Sequence, residues 1–443
     1  MFPKYLLHKL RFYPRLVKAI WAKHQKLIIL GFLVGAASFW LLPQLAKTVF
    51  KSTTQRIGLV GKFTTEQLPL EVGRLIGQGL TSVTEDGQVQ PQLAESWTVS
   101  DNGREYLFDL RRDLTWHDGK PLLAKNISYH FSDVAASPIG DYQIKFILKE
   151  AFSPFPSIVS QPVFKGGLVG TGDYRVQHLL KNGQIAEKIS LVPAKNKTLP
   201  KIIFRFYPTE QAAKTAFKLG EINVIKNISE PGELKDWPGL KIKQTVKLNR
   251  FAAIFFNTQN PKLAEKSARQ ALAYAIQKNW SNRAFGPLNP NSWAFNPDVK
   301  KYQYDLKNAQ SLMTDQKEIL TEIELATIPS LFPVAEAIKQ DWEQLGIATK
   351  IKAINALDQD FEALLIIQEV AVDPDQYAFW HSTQKSNISQ YKSFKVDNLL
   401  EEGRKETDLK KRQEIYTDIQ RFIVEDTPAI FLFHPTLYTV SRQ

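Results

Sequence analysis

The chain contains no cysteine among its 443 residues. That absence excludes disulfides, Cys-bearing zinc sites, iron–sulfur clusters, a thiol nucleophile and a lipid anchor on an N-terminal cysteine. Acidic residues are missing from Met1 to Gln55, where nine Lys and Arg stand unopposed. With Arg56, ten of the 57 basic residues lie in the first 56 positions, and the remaining 47 nearly balance the 45 acidic ones. The formal charge of +12 therefore belongs chiefly to the N-terminal segment. The rest of the chain lacks the electrostatic footprint of a nucleic-acid binder. The motifs of catalysis are missing too: there is no GxSxG, no HExxH, no GxxxxGK[ST] and no GxGxxG opening a helix. Gly166 to Gly172 (GGLVGTG) reads as a tight turn ahead of a strand, because a phosphate cradle needs a helix directly after it. The seven histidines form no pair at i, i+4 and no ligand-like cluster. Neither an enzyme nor a metal or other cofactor is expected.

What is present begins with a membrane signal. Leu27 to Ala46 is a twenty-residue stretch without a charge, and at 1.5 Å per helical residue it reaches roughly 30 Å, the thickness of a bilayer's hydrocarbon core. Seven Lys and Arg precede it and three follow within ten residues, which orients the N-terminus towards the cytoplasm and the long C-terminal part outside. A cleaved signal peptide fits less well, since the site after Ala46 has Gln44 where a small residue is wanted. The expected order is a basic cytoplasmic leader (1–26), a transmembrane anchor (27–46) and a polar tether (47–56).

From Ile57 onward strands and helices alternate without repeats or low-complexity runs, the pattern of an α/β body. At roughly 150 residues per domain it should contain two or three units with cores large enough to fold unaided. Glu105–Arg111 alternates polar and apolar residues as a half-buried strand, and Lys201–Tyr207 and Phe251–Phe256 are strongly β in composition. Apolar residues at helical spacing predict helices over 264–279 and 408–425, the second stopped by Pro428 ahead of a last β-like run, Ala429 to Val440.

An ordered series of blocks then resembles a known family. PQLAESWTVSDNGREYLFDLRRDLTWHDGKP (Pro91–Pro121) is the longest. GTGDYRV (170–176), KLGEINVI (218–225), FNTQNPKLAEKSARQALAYAIQK (256–278), DLKNAQSLM (305–313), LGIATKIKAI (345–354), DPDQYAFWHS (373–382) and the segment 396–433 follow it. Together they are similar to the substrate-binding proteins of ABC importers, the peptide/nickel-type group called family 5. The resemblance implies a two-lobed α/β fold of the periplasmic-binding-protein class (type II, peptide-binding) with a hinge cleft, here carried behind one transmembrane helix. Lobe 1 would cover 57–247 with a return strand over 429–443, and lobe 2 would cover 248–428.

By position in that fold, Glu369, Val370, Ala371, Tyr377, Trp380, Asn257 at the crossover and Glu71 in the first loop are the candidate ligand contacts. Trp97, Trp116 and Trp237 are expected in the core. Three departures stand out. Only 48 residues separate Pro121 from Gly170, where the family carries a longer insertion, and its C-terminal extension is expected to be absent. Val370 occupies the place where peptide binders carry the Asp that receives a peptide's amino terminus. The implied function is capture of a peptide or similar small solute and its delivery to a membrane permease driven by a cytoplasmic ATPase. The alternative is an anchored sensor or surface interaction module of the same fold.

Overall fold

The computed structural model describes residues 54–314, 319–355 and 360–442, with Trp21, Lys23, His24, Lys26, Gly31 and Gly35 nearer the N-terminus. Those six are helical and exposed. The expected anchor otherwise lies outside the described residues, among which no helix is long and apolar enough to cross a membrane. The chain divides into two compact units, 1–55 and 56–443. The second holds the sheets and their cores.

Along the chain come β1 (Thr54–Val60), β2 (Phe63–Thr64), the ribbon β3 (Thr81–Val83) and β4 (Val89–Pro91), then β5 (Ala94–Ser100), β6 (Glu105–Leu110), β7 (Val134–Ile139) and β8 (Gln143–Leu148). The last four form an antiparallel sheet in the order β5-β6-β8-β7. Its β6 alternates in burial as its sequence does, placing Tyr106, Phe108 and Leu110 in an aromatic core with Phe146 and Phe155. Next follow β9 (Tyr174–Asn182), β10 (Ile185–Pro193), β11 (Lys201–Tyr207), β12 (Val224–Ile228) and β13 (Leu240–Val246). These join β1 and β2 in an eight-stranded sheet that the C-terminal strand completes.

The second half contains β14 (Arg250–Phe256), β15 (Glu322–Thr327), β16 (Ala348–Ala353), β17 (Ala363–Glu369) and β18 (Ala429–Phe433), ordered β16-β15-β17-β14-β18. The unbroken apolar run of β14 has a plain cause: the strand is flanked by β17 and β18 and buried from Phe251 to Phe256. Helix Leu409–Asp426 is capped by Asp408, whose side chain accepts from the Lys411 N–H. It ends where Thr427 adopts a left-handed conformation before Pro428. Helix Lys266–Ala275 stops short of the expected Asn279. Ile276 is extended there, and the buried Lys278 ammonium turns back onto the carbonyls of Ala273, Ile276 and Tyr302. Trp116 is buried and Trp97 partly so, whereas Trp237, expected in the core, is 37% exposed after a surface turn at Gly232–Asp236.

The expected return strand over 429–443 is divided. β18 stays in the second sheet beside β14, and only β19 (Thr436–Arg442) joins β12 and β13 in the first. Pro435, with no N–H to donate, stands at the break. The chain thus passes between the two sheets twice, at 247–249 and at 434–435. The Lys247 N–H donates to the Pro435 carbonyl at 2.9 Å, and His434 Nδ1 meets the Arg250 carbonyl at 2.7 Å, so the crossings lie side by side.

Candidate functional site

The crossing at 247–249 hands the chain directly to β14, whose first residue, Arg250, lies opposite Glu369, the last of β17. Side chains opposite one another in an antiparallel pair share a face. The Arg250 guanidinium accordingly meets the Glu369 carboxylate at 2.9 Å, and Asn249 Nδ2 reaches the same carboxylate at 3.4 Å. From the first sheet's side, Glu71 lies in the opening turn of helix Leu70–Ile76 and pairs with Lys226 of β12 at 2.8 Å. Glu71 is therefore a helix residue, not a loop residue. The helix is held from behind by the glycine-rich turn: Gly172 donates its N–H to the Ile76 carbonyl at 2.8 Å, and a side chain at Gly170 or Gly172 would collide with the backbone of Leu75 and Ile76.

Lys247, on the crossing that leads into Arg250, lies within the field of both ion pairs. Partial burial, reinforced by Arg250 and Lys226, holds its ammonium below the usual lysine range against the pull of Glu71 and Glu369. The hinge thus carries three cations and two carboxylates, contributed by both sheets and the strap that joins them.

The other sequence-chosen residues separate from this cluster. Val370 continues the β17 ladder, its N–H donating to the Asn249 carbonyl at 2.9 Å, and its side chain falls on the face opposite Glu369. It lines an apolar slot with Phe251, Phe255, Gln368 and Trp380 that encloses about 10 Å³, too little for a ligand. Trp380 is 2% exposed, stacks on Phe255 and donates to Gln376 Oε1 at 3.2 Å, a packing role. Ala371 is exposed on the turn beyond. Asn257 follows the far end of β14, seven residues and roughly 23 Å from Arg250. It is not at the crossover: its N–H donates to the Glu362 carbonyl and its side chain accepts from the Gln259 N–H.

Tyr377 opens onto a groove of about 1000 Å³ at the upper end of ligand-pocket sizes. One wall carries Arg104, Phe152 and Phe155, the other Tyr377, Glu401 and Arg404. Arg404 lies over both the Tyr377 ring (4.2 Å) and the Phe152 ring (4.8 Å) and pairs with Asp375 at 3.0 Å. The Ser153 N–H donates to the Arg404 carbonyl at 2.7 Å, and the Trp293 N–H to the Asp86 carbonyl at 2.9 Å. These contacts join the β3–β8 region to the second sheet's body away from the hinge. Behind Tyr377, Asp373 and Arg412 form a bidentate ion pair at 2.6 and 3.1 Å, with side chains only 8% and 7% exposed.

Lys226, Lys247 and Arg250 were not foreseen from the sequence, since no fixed spacing links them. The one local signal is KLNR at 247–250, two cations immediately before an apolar central strand.

Residues 88–390 match the family model for bacterial extracellular solute-binding proteins, family 5. The dipeptide-binding protein of Escherichia coli (strain K12) is 24% identical, with 80% of this chain and 83% of that protein covered. Among solved structures, NikZ from Campylobacter jejuni in complex with Ni(L-His) superposes with a TM-score of 0.73 at 22% identity, covering 88% of this chain and 94% of that one. The ABC transporter substrate-binding protein CtaP from Listeria monocytogenes gives 0.75 at 23% identity, with the same coverage. The two sheets and their two crossings are accordingly the two-lobed periplasmic-binding-protein fold.

Proposed function

The chain belongs to the bacterial extracellular solute-binding proteins of family 5, and from that premise we propose that it captures a peptide or similar small solute between its lobes for an ABC importer. The observation that carries this reading is the hinge, where two short crossings meet a cluster of charged side chains from both lobes. A solute touching both lobes favours their closed arrangement, because only there are both sets of contacts made. The closed form is then presented to a membrane permease powered by a cytoplasmic ATPase. The basic leader and the uncharged stretch 27–46 support an N-terminus in the cytoplasm, a single membrane-spanning anchor and an extracytoplasmic binding body. Relatives named for dipeptide and for Ni(L-His) make small peptides and comparably sized solutes the first class to test.

Native mass spectrometry of the purified full chain tests the proposal. A co-purified small solute, released intact on denaturation, is the expected result. Absence of any such species, together with no thermal shift from a broad peptide library, would refute it.

A further inference from the structure

At the hinge each carboxylate already has its cation: Glu71 is held by Lys226 at 2.8 Å and Glu369 by Arg250 at 2.9 Å. The Lys247 ammonium is the cation left over, with no hydrogen bond or ion pair of its own among the described residues although it is half-buried. A charge withdrawn from water without a partner is unfavourable, and an anion arriving beside it removes that penalty. Its place matters as much as its charge. Lys247 sits on the strap between the lobes, tied through its N–H to the second crossing at Pro435, and carboxylates from each lobe act on it. The residue beyond Glu369 is the buried, apolar Val370, which offers a cationic ligand no carboxylate at that position.

Building on the solute-binding reading above, we infer that the cleft takes its solute through a carboxylate, received by Lys247, and not through an ammonium group. The incoming carboxylate balances the third cation, so that binding and closure neutralise the hinge. An amino-terminal ammonium placed at the same point would instead meet an excess of positive charge.

The test uses the full chain in detergent and a randomised tripeptide mixture in three forms: unmodified, C-terminally amidated and N-acetylated. Titration calorimetry should show amidation weakening binding by about tenfold or more, the lower range for losing a charge-assisted hydrogen bond. N-acetylation should change affinity by less than about twofold. Lys247→Gln should abolish the discrimination between unmodified and amidated peptides, and Lys247→Arg should keep it. Should Lys247→Gln fail to fold, the wild-type comparison of amidated with acetylated peptides still decides. Equal binding of all three forms, a larger loss on acetylation than on amidation, or discrimination surviving in a folded Lys247→Gln would overturn the inference while leaving solute binding intact. Failure of the wild type to bind any form would overturn both.

Discussion

Replacing Asp373 by Asn removes one charge from a buried pair while keeping the side chain's size. In the native chain Arg412 donates to Asp373 at 2.6 and 3.1 Å, to the Gly403 carbonyl at 3.0 Å, and lies against Trp293 and Tyr416. Without the carboxylate the guanidinium keeps the carbonyl but sits uncompensated in a site only 7% exposed. Breaking such a pair from one side costs about 3–5 kcal/mol. Asp373→Ala should cost about 1 kcal/mol more, because Oδ1 also accepts the Asp375 N–H at 2.9 Å, and that turn bond is lost with the side chain. An Asp373→Leu/Arg412→Leu double variant, which buries no charge, should recover part of the loss. Urea denaturation of the full chain, followed by tryptophan fluorescence, reads these differences, with Trp293 beside the pair as a local reporter. A cost for Asp373→Asn below about 1 kcal/mol, the range of exposed pairs, would show that the pair does not behave as a buried one.

Arg404→Ala removes the Asp375 ion pair and the stacking on Phe152 and Tyr377. It should lower stability by about 1–2 kcal/mol and speed hydrogen exchange at the Ser153 N–H, whose acceptor is the Arg404 carbonyl; unchanged exchange there would count against a contact between the lobes at this point. His434, on the second crossing, is pushed below its ordinary value by burial, partly offset by its bond to the Arg250 carbonyl. The unfolded chain therefore binds a proton there more readily than the folded one, and stability should be complete above about pH 6.5 and fall as pH drops through the folded-state value. His434→Asn should flatten that part of the profile in denaturation series between pH 5 and 7.5, and a profile unchanged by the substitution would locate the sensitivity elsewhere.

The fold was legible where one residue pattern had one physical outcome. The run FAAIFF is strongly β in composition, and it forms the buried β14. The helix ends at Thr427, whose left-handed conformation avoids the α region that a following proline disfavours. Reading failed where long-range partners decided. Nothing local shows that Lys278 reaches back to the Ala273 and Ile276 carbonyls and ends its helix four residues before the expected boundary. The final run, read as one return strand, is divided at Pro435, and whether Ala429–Phe433 pairs with β14 or returns to the first sheet depends on strand order. At the site, Glu369 and Glu71 come from their positions in the resembled fold, and both act electrostatically on Lys247. Their cations escaped notice because Lys226, Lys247 and Arg250 lie on three separate segments that meet only once both sheets are formed. Val370 is a candidate by strand position and Trp380 by aromatic packing, yet both face the apolar slot: Val370 because strand alternation turns it away from Glu369, and Trp380 from the short helix Tyr377–Trp380.

Solute binding is expected to close the two lobes about the crossings at 247–249 and 434–435. Since the chain has no native cysteine, a pair of introduced cysteines can be labelled without background. Leu219 and Phe394 are 72% and 83% exposed on opposite lobes, and Leu180 and Leu409 (54% and 53%) give a second pair. Single-molecule energy transfer across both pairs, in the full chain with and without the unmodified tripeptide mixture, measures closure directly. A solute-dependent shift between two distance populations in at least one pair is expected. Saturating peptide binding that leaves both distance distributions unchanged would contradict it.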